Sequence, residues 1–264
     1  MNNLKDIELF LLDMDGTINI EDSLIDGAAD FFSYLNETNR RYVFLTNNSS
    51  NSAKNYVTKI QNLGIKCGPE NVFTSGMAMG IFLQTERANI PIYLVGTKAL
   101  KEELLSYRVV IAEDYKEAKI VVVGFDKELT YQKLEHACEL LDNGAEFLAT
   151  NVDLVCPIEN RRFIPDCGSI CMLIETATGK KPRFVGKPER SMVDILLTKF
   201  GCPPGRTAII GDRLYTDIMT GVNAGITSVC VLTGETTLEM IQNSEIKPTY
   251  VFDSIKDVYE QIIK

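Results

Sequence analysis

Histidine is nearly missing from this chain: there is one in 264 residues, His136. It lies inside a helical pattern running from Tyr131 to Leu141 and is expected to be a surface or half-buried helix residue, which argues against a catalytic histidine triad. No CxxC pair and no histidine cluster accompanies the cysteines. Cys67, Cys138, Cys156, Cys167, Cys171, Cys202 and Cys230 are odd in number, scattered and mostly among apolar neighbours, so they read as reduced core residues. Cys167 and Cys171 could share a helix face, but nothing completes a zinc site around them. No apolar run approaches the roughly 20 residues needed to cross a bilayer. The run Met1 to Asp6 has neither the basic head nor the apolar core of a signal peptide, and a cytoplasmic protein is expected. Basic residues are outnumbered, 27 Lys and Arg against 36 Asp and Glu for a net charge of −9, which disfavours binding to a nucleic-acid backbone. Small anions need only a local pocket. The short basic groups Arg161-Arg162 and Lys180-Lys181 with Arg183 could supply one, although solvated surface charge is the favoured reading. There is no Gly/Ser-rich or Pro-rich linker, no low-complexity tract and no internal repeat.

What is present belongs to an ordinary globular protein, 45% hydrophobic and 24% charged, and argues against disorder. Strand and helix signals alternate throughout, so the expected fold class is α/β: a Rossmann-like, doubly wound parallel-sheet core. Ile7 to Leu12 has no polar alternation, as expected of a strand covered on both faces. Tyr42 to Thr46, Val72-Phe73, Thr207 to Gly211, Thr227 to Leu232 and Thr249 to Phe252 read as further strands, and Arg183 to Gly186 as a short one continuing the same sheet. The stretch from about Ile81 to Lys181 carries its own strands, at Ile92 to Val95, Ile120 to Val123 and Phe147 to Thr150, with helices at Ala99 to Leu105 and Tyr131 to Asn143. It is long enough for a small domain. The expected organisation is therefore a core of residues 1–80 and 182–264 interrupted by an inserted α/β domain, 81–181.

The richest signal is Asp13-Met14-Asp15-Gly16-Thr17, where the first strand runs out. Ligands of open α/β sheets bind in the crevice outside the carboxyl ends of the strands. Two carboxylates there can divide a task, one as nucleophile and the other as general acid. Attack on phosphorus would further require hydroxyl and amide donors for the oxyanion, a cation, and an acidic anchor for magnesium. Thr46-Asn47 follows the second strand. Lys187, in Gly186-Lys187-Pro188, lies between a strand and a helix. Gly211-Asp212-Arg213-Leu214-Tyr215-Thr216-Asp217 repeats the pattern of an apolar strand breaking into carboxylates, the oxygen ligands that Mg²⁺ prefers.

These motifs, in this order, resemble the haloacid-dehalogenase-like phosphatase superfamily over essentially the whole chain. The long interval between Thr46 and Lys187, against the short one between Asp15 and the first helix, is similar to subclass IIA, the NagD-like and 4-nitrophenylphosphatase-like branch, with its cap between the second and third motifs. Ala149 to Asp153 and Pro165 to Ser169 also resemble that branch's cap segments, the second turning into a helix beginning near Ile170.

The resemblance implies roles position by position. Asp13 would be the nucleophile that forms an aspartyl-phosphate, and Asp15 the acid for the leaving oxygen and later the base for water. Thr46, the Asn47 backbone and Lys187 would hold the phosphoryl oxygens. Mg²⁺ would take Asp13, the Asp15 carbonyl and Asp212, with Asp217 supporting from outside. Asn151, Asp153, Gly168 and Ser169 would face the substrate and help select the leaving group. The expected partner is a small phosphorylated metabolite such as a sugar phosphate or nucleoside monophosphate, with no nucleic acid and no membrane; a homodimer is an open assembly. Asp15 favours phosphoryl transfer over halide displacement. A phosphotransferase or phosphomutase using the same intermediate, and a non-catalytic phosphate sensor, are the alternatives.

Overall fold

The computed structural model describes residues 3–158 and 162–264, so Arg161 lies outside the described residues. The chain forms two units, one of Met1–Thr46, Ala53–Phe73 and Lys187–Lys264, the other of Asn47–Ser52 and Thr74–Gly186.

The first unit is built on a six-stranded sheet in the order Tyr250–Phe252, Thr227–Val231, Thr207–Gly211, Leu9–Leu12, Arg41–Thr46, Val72–Thr74. Leu9–Leu12 is buried along its whole length, and pairs in parallel with Arg41–Thr46 on one side and Thr207–Gly211 on the other. Burial of both faces is why no alternation is visible in its sequence. The chain winds outward from this strand in one direction, then returns and winds outward in the other. Its carboxyl end is therefore the topological switch point, where two neighbouring strand ends diverge into a crevice.

Helix Ala28–Glu37 covers the sheet with Ala28, Phe31, Phe32 and Leu35, the three-and-four spacing of one helical face. Phe31 meets Phe10 edge-on at 5.6 Å. Each such buried ring contributes about 1.5–3 kcal/mol. Helix Ile255–Ile263 buries Ile255, Val258 and Ile262, and starts at a capping box in which Asp257 accepts from the Ser254 amide at 2.9 Å.

A small hairpin pairs Asn19–Ile20 with Ser23–Leu24 and turns through Glu21, whose φ is +53°. Strands of two residues are too short to alternate, which is why the sequence pattern does not reveal them.

The second unit has a four-stranded parallel sheet, Arg183–Phe184, Glu146–Ala149, Ile120–Val123, Ile92–Val95. Helices Tyr131–Asp142 and Cys167–Thr178 bury Leu140, Leu141, Ile170 and Ile174 with Val121, Val123 and Phe125.

Two expectations need correction here. Arg183–Phe184 pairs with Leu148 and Ala149 of this sheet and does not continue the first one. A two-residue edge strand carries no signal of its partner. The helix expected near Ile170 begins at Cys167, because Asp166 caps it by accepting from the Cys167 amide at 2.5 Å. An antiparallel hairpin, Val155–Ile158 with Arg162–Pro165, went unanticipated; Pro157 and Pro165 mask it as non-strand sequence.

His136 is half-buried, stacked on Tyr115 at 3.7 Å, and every cysteine is free. Lys180, Lys181 and Arg183 are exposed, with Lys181 facing Glu175 at 3.7 Å. Among the described residues, no helix is long and apolar enough to cross a membrane.

Candidate active site

In the first unit, Asp13 extends the central strand by one residue, its amide donating to Ile210 O at 2.9 Å. Asp212 leaves the neighbouring strand at the equivalent point. Asp217 follows on the wide helical turn Leu214–Ile218, where its carboxylate accepts from the Arg213 amide at 3.1 Å. Lys187 is 2% exposed, and its Nζ reaches Asp13 Oδ1 at 2.7 Å and Asp217 Oδ1 at 2.6 Å. Oxygens of Asp13, Asp212 and Asp217 all lie within 4.8 Å of one another. Three carboxylates and one ammonium thus converge on the crevice that the strand order opens.

Such crowding is expensive for like charges. Burial, then the neighbouring Asp13 and Asp217, pushes the Asp212 carboxyl up to about 7. Burial also raises Asp13, with Lys187 opposing it. For Lys187 burial works against the charge, but Asp13 and Asp217 outweigh it and hold the ammonium above its ordinary value. The cluster is short of positive charge. Asp212 uses Oδ2 to accept from the Glu235 amide at 2.7 Å, whereas its Oδ1 is buried with no hydrogen-bond partner. A buried, unspent carboxylate oxygen beside two further carboxylates fits a hard divalent cation.

Gly16 is required here. Its φ is +87°, and a Cβ would stand 2.8 Å from Asp212 Oδ2 and 3.0 Å from Gly234 Cα.

Sequence reasoning missed the segment that closes on this corner. Thr233 Oγ1 donates to Gly16 O at 2.6 Å, the Thr236 amide to Asp212 O at 3.1 Å, and Arg213 Nε stands 3.1 Å from Glu235 Oε2. The available signal was topological. Strand Thr227–Val231 lies beside Thr207–Gly211, so the residues after it reach the same crevice.

Asp15 stands apart from the cluster. Its side chain is 61% exposed, and Oδ1 accepts from Asn19 Nδ2 at 2.8 Å and Lys59 Nζ at 2.9 Å, leaving Oδ2 without a hydrogen bond among the described residues. Neither partner belongs to a motif visible in the sequence. Thr46 ends the strand beside Leu9–Leu12 and is 9% exposed.

The cap candidates gather in the second unit. Asp153 Oδ2 accepts from Asn47 Nδ2 at 2.7 Å and from Asn151 Nδ2 at 3.0 Å, and Asn151 Nδ2 also reaches Asp166 Oδ1 at 3.1 Å. All four side chains are nearly or wholly buried. Gly168 packs so closely that a Cβ would lie 2.3 Å from Val152 O, and its amide donates to Asp153 O at 2.8 Å. Ser169 Oγ donates to Leu154 O at 2.5 Å. The residues expected to meet a leaving group hold one another in this conformation.

The chain matches the family model described as haloacid dehalogenase-like hydrolase over residues 10–110 and a second, HAD-hydrolase-like model over 184–258. It is 35% identical over 261 residues, 99% of this chain and 100% of the relative, to an acid sugar phosphatase of Staphylococcus saprophyticus. The structure superimposes on a 4-nitrophenylphosphatase from Thermotoga maritima with a TM-score of 0.93 and 44% identity, covering 98% of each chain. For NagD from Escherichia coli K-12 the TM-score is 0.87 and the identity 30%, over 95% of this chain and 98% of the other.

Proposed function

The chain belongs to the haloacid dehalogenase-like hydrolase family, and from that premise we propose that it hydrolyses small phosphomonoesters with Mg²⁺ through a phosphoryl group carried on Asp13. It is a phosphatase of the NagD-like branch. The supporting observation is the cluster Asp13, Lys187, Asp212 and Asp217, with one buried Asp212 oxygen unspent and Asp15 two residues beyond the nucleophile.

An Asp13 carboxylate oxygen attacks phosphorus, and the bond from phosphorus to the leaving oxygen breaks. Asp15, through Oδ2, supplies the proton to that oxygen, so the alcohol departs neutral. Asp15 then takes a proton from water as it attacks phosphorus, and the bond from phosphorus to Asp13 breaks to release phosphate. Thr46, the Asn47 amide and Lys187 hold the phosphoryl oxygens. Asp13, Asp212 and the Asp15 carbonyl are the groups that would hold Mg²⁺, with Asp217 steadying Lys187. The ion supplies positive charge against the developing negative charge on the phosphoryl oxygens. Residues 81–181 are the inserted cap domain, and the enzyme works in the cytoplasm on a small phosphorylated metabolite.

The decisive test is phosphate release from a panel of phosphomonoesters with and without Mg²⁺, repeated with Asp13→Asn. The variant is expected to keep its circular dichroism and lose about 10³-fold or more in kcat. Hydrolysis at the native rate sinks the reading, and preferential transfer of phosphate to an added alcohol replaces hydrolysis by phosphotransfer.

A further inference from the structure

Two of the groups that would hold Mg²⁺ sit on different loops of the first unit: the Asp15 carbonyl on the turn after Leu9–Leu12, and Asp212 on the turn after Thr207–Gly211. Mg²⁺ demands near-ideal octahedral geometry, so its affinity depends on oxygens held at fixed separations. Two unconnected loops would drift apart. The residues Thr233 to Thr236, which follow strand Thr227–Val231, bond to both. Thr233 Oγ1 donates to Gly16 O at 2.6 Å on the first loop. On the second, the Glu235 amide donates to Asp212 Oδ2 at 2.7 Å and the Thr236 amide to Asp212 O at 3.1 Å.

These bonds fall on the ligand groups themselves or one peptide away. The Gly16 amide donates to Asn19 O at 2.8 Å. A trans peptide points its C=O opposite to its N–H, so this bond turns the Asp15 carbonyl away from Asn19. Gly16, with φ of +87°, is the residue about which that peptide could swing. Thr233 grips the next peptide plane, through Gly16 O, and resists the swing. At Asp212 the Glu235 amide occupies Oδ2 and leaves Oδ1, buried and without a hydrogen-bond partner, as the oxygen free for an ion. Gly234 lets the loops come this close, because a Cβ there would overlap Asp212 Oδ2. Of the three bonds, Thr233 alone supplies a side chain.

We propose that Thr233 is a positioning residue that sets the affinity for Mg²⁺ by holding the Asp15 carbonyl in place against Asp212. It acts through the Gly16 carbonyl and not on the reacting atoms. The proposal rests on the metal-dependent phosphatase reading above.

The test measures the Mg²⁺ dissociation constant of the substrate-free, full-length protein by isothermal titration calorimetry, for the native chain, Thr233→Val and Thr233→Ser. Thr233 is only half-buried and valine keeps its shape, so folding, checked by circular dichroism, is expected to hold. Thr233→Val is expected to weaken Mg²⁺ about tenfold, the effect of losing a group that orients a ligand, and Thr233→Ser, which keeps the hydroxyl, to stay within about twofold of native. With 4-nitrophenyl phosphate the half-saturating Mg²⁺ of Thr233→Val is expected to rise in step, while kcat at saturating Mg²⁺ stays within about threefold. Ser254→Ala, which loosens the cap of helix Ile255–Ile263 instead, is expected to leave the dissociation constant unchanged. An unchanged constant in Thr233→Val, an equal loss in Thr233→Ser, a matching loss in Ser254→Ala, or a fall in kcat that saturating Mg²⁺ does not restore overturns the positioning role. A native protein that binds no Mg²⁺ fails the metal-dependent reading itself.

Discussion

The two units bury acidic side chains in opposite ways. In the first, Asp13, Asp212 and Asp217 meet one another and a single Lys187 ammonium, and the Asp212 carboxyl is pushed up to about 7. In the second, Asp153 and Asp166 receive donors from the amides of Asn47, Asn151 and Cys167. Neutral donors settle a carboxylate into architecture. A shortage of positive charge leaves it ready to take a cation or to attack an electrophile. Asp212 and Asp217 are as buried as Asp153 and Asp166, so the donor set makes the difference.

Lys187→Met breaks the contrast most severely. It leaves three carboxylates facing one another without their ammonium, at an expected cost of about 3–5 kcal/mol in urea unfolding together with loss of turnover. A cost below about 1 kcal/mol would mean that the cluster relaxes into solvent.

Asn151→Ala attacks the other side of the comparison. It strips a donor from Asp153 and from Asp166, and is expected to cost about 1–3 kcal/mol of stability. If the variant instead keeps its stability and changes only substrate preference, the network is a recognition surface rather than a fastening.

The pH dependence of stability sharpens the contrast. With its folded pKa raised to about 7, Asp212 binds its proton more tightly folded than unfolded. The stability it contributes is present at low pH and lost as pH rises through 7, in EDTA-treated protein, at a slope approaching about 1.4 kcal/mol per pH unit. Asp212→Asn is expected to flatten that slope, and the stabilisation gained on adding Mg²⁺ is expected to grow with pH in the native protein and shrink in the variant. Melting curves between pH 5 and 8 with and without the ion, at about 10 mM or below, read both effects.

Glu235→Gln is the mildest change. The Arg213 pair is partly exposed and Asp212 is held by the Glu235 backbone amide, so a stability change within about 1 kcal/mol is expected.

The parts of the site that were legible before the structure share a property. Asp13 and Asp212 each follow an apolar strand that pattern alone reveals, and Lys187 follows the short strand Arg183–Phe184 by three residues. Asn19, Lys59 and Thr233 to Thr236 carry no such mark, because they act through a hydrogen bond to a motif residue or through their own backbone. For the cap residues composition was uninformative in another way: Asn151 and Asp153 look alike as ligand-facing groups or as each other's partners. Fold class and most strands were legible for the same reason as the core site. The two hairpins and the sheet membership of Arg183–Phe184 were not, since pairing partners of two- to four-residue strands are set by tertiary contacts.

Where the long excursion from Thr74 to Gly186 begins and ends, the chain nearly touches itself. A Cβ on Gly186 would lie 3.1 Å from the Ser75 Cβ and 2.3 Å from Thr150 O, and the Gly186 amide donates to that same oxygen at 2.8 Å. A block that departs and returns through adjacent doorways can be lengthened, shortened or exchanged without stretching the sheet that hosts it. Such a joint makes the length of the excursion independent of the strand ends that carry Asp13 and Asp212.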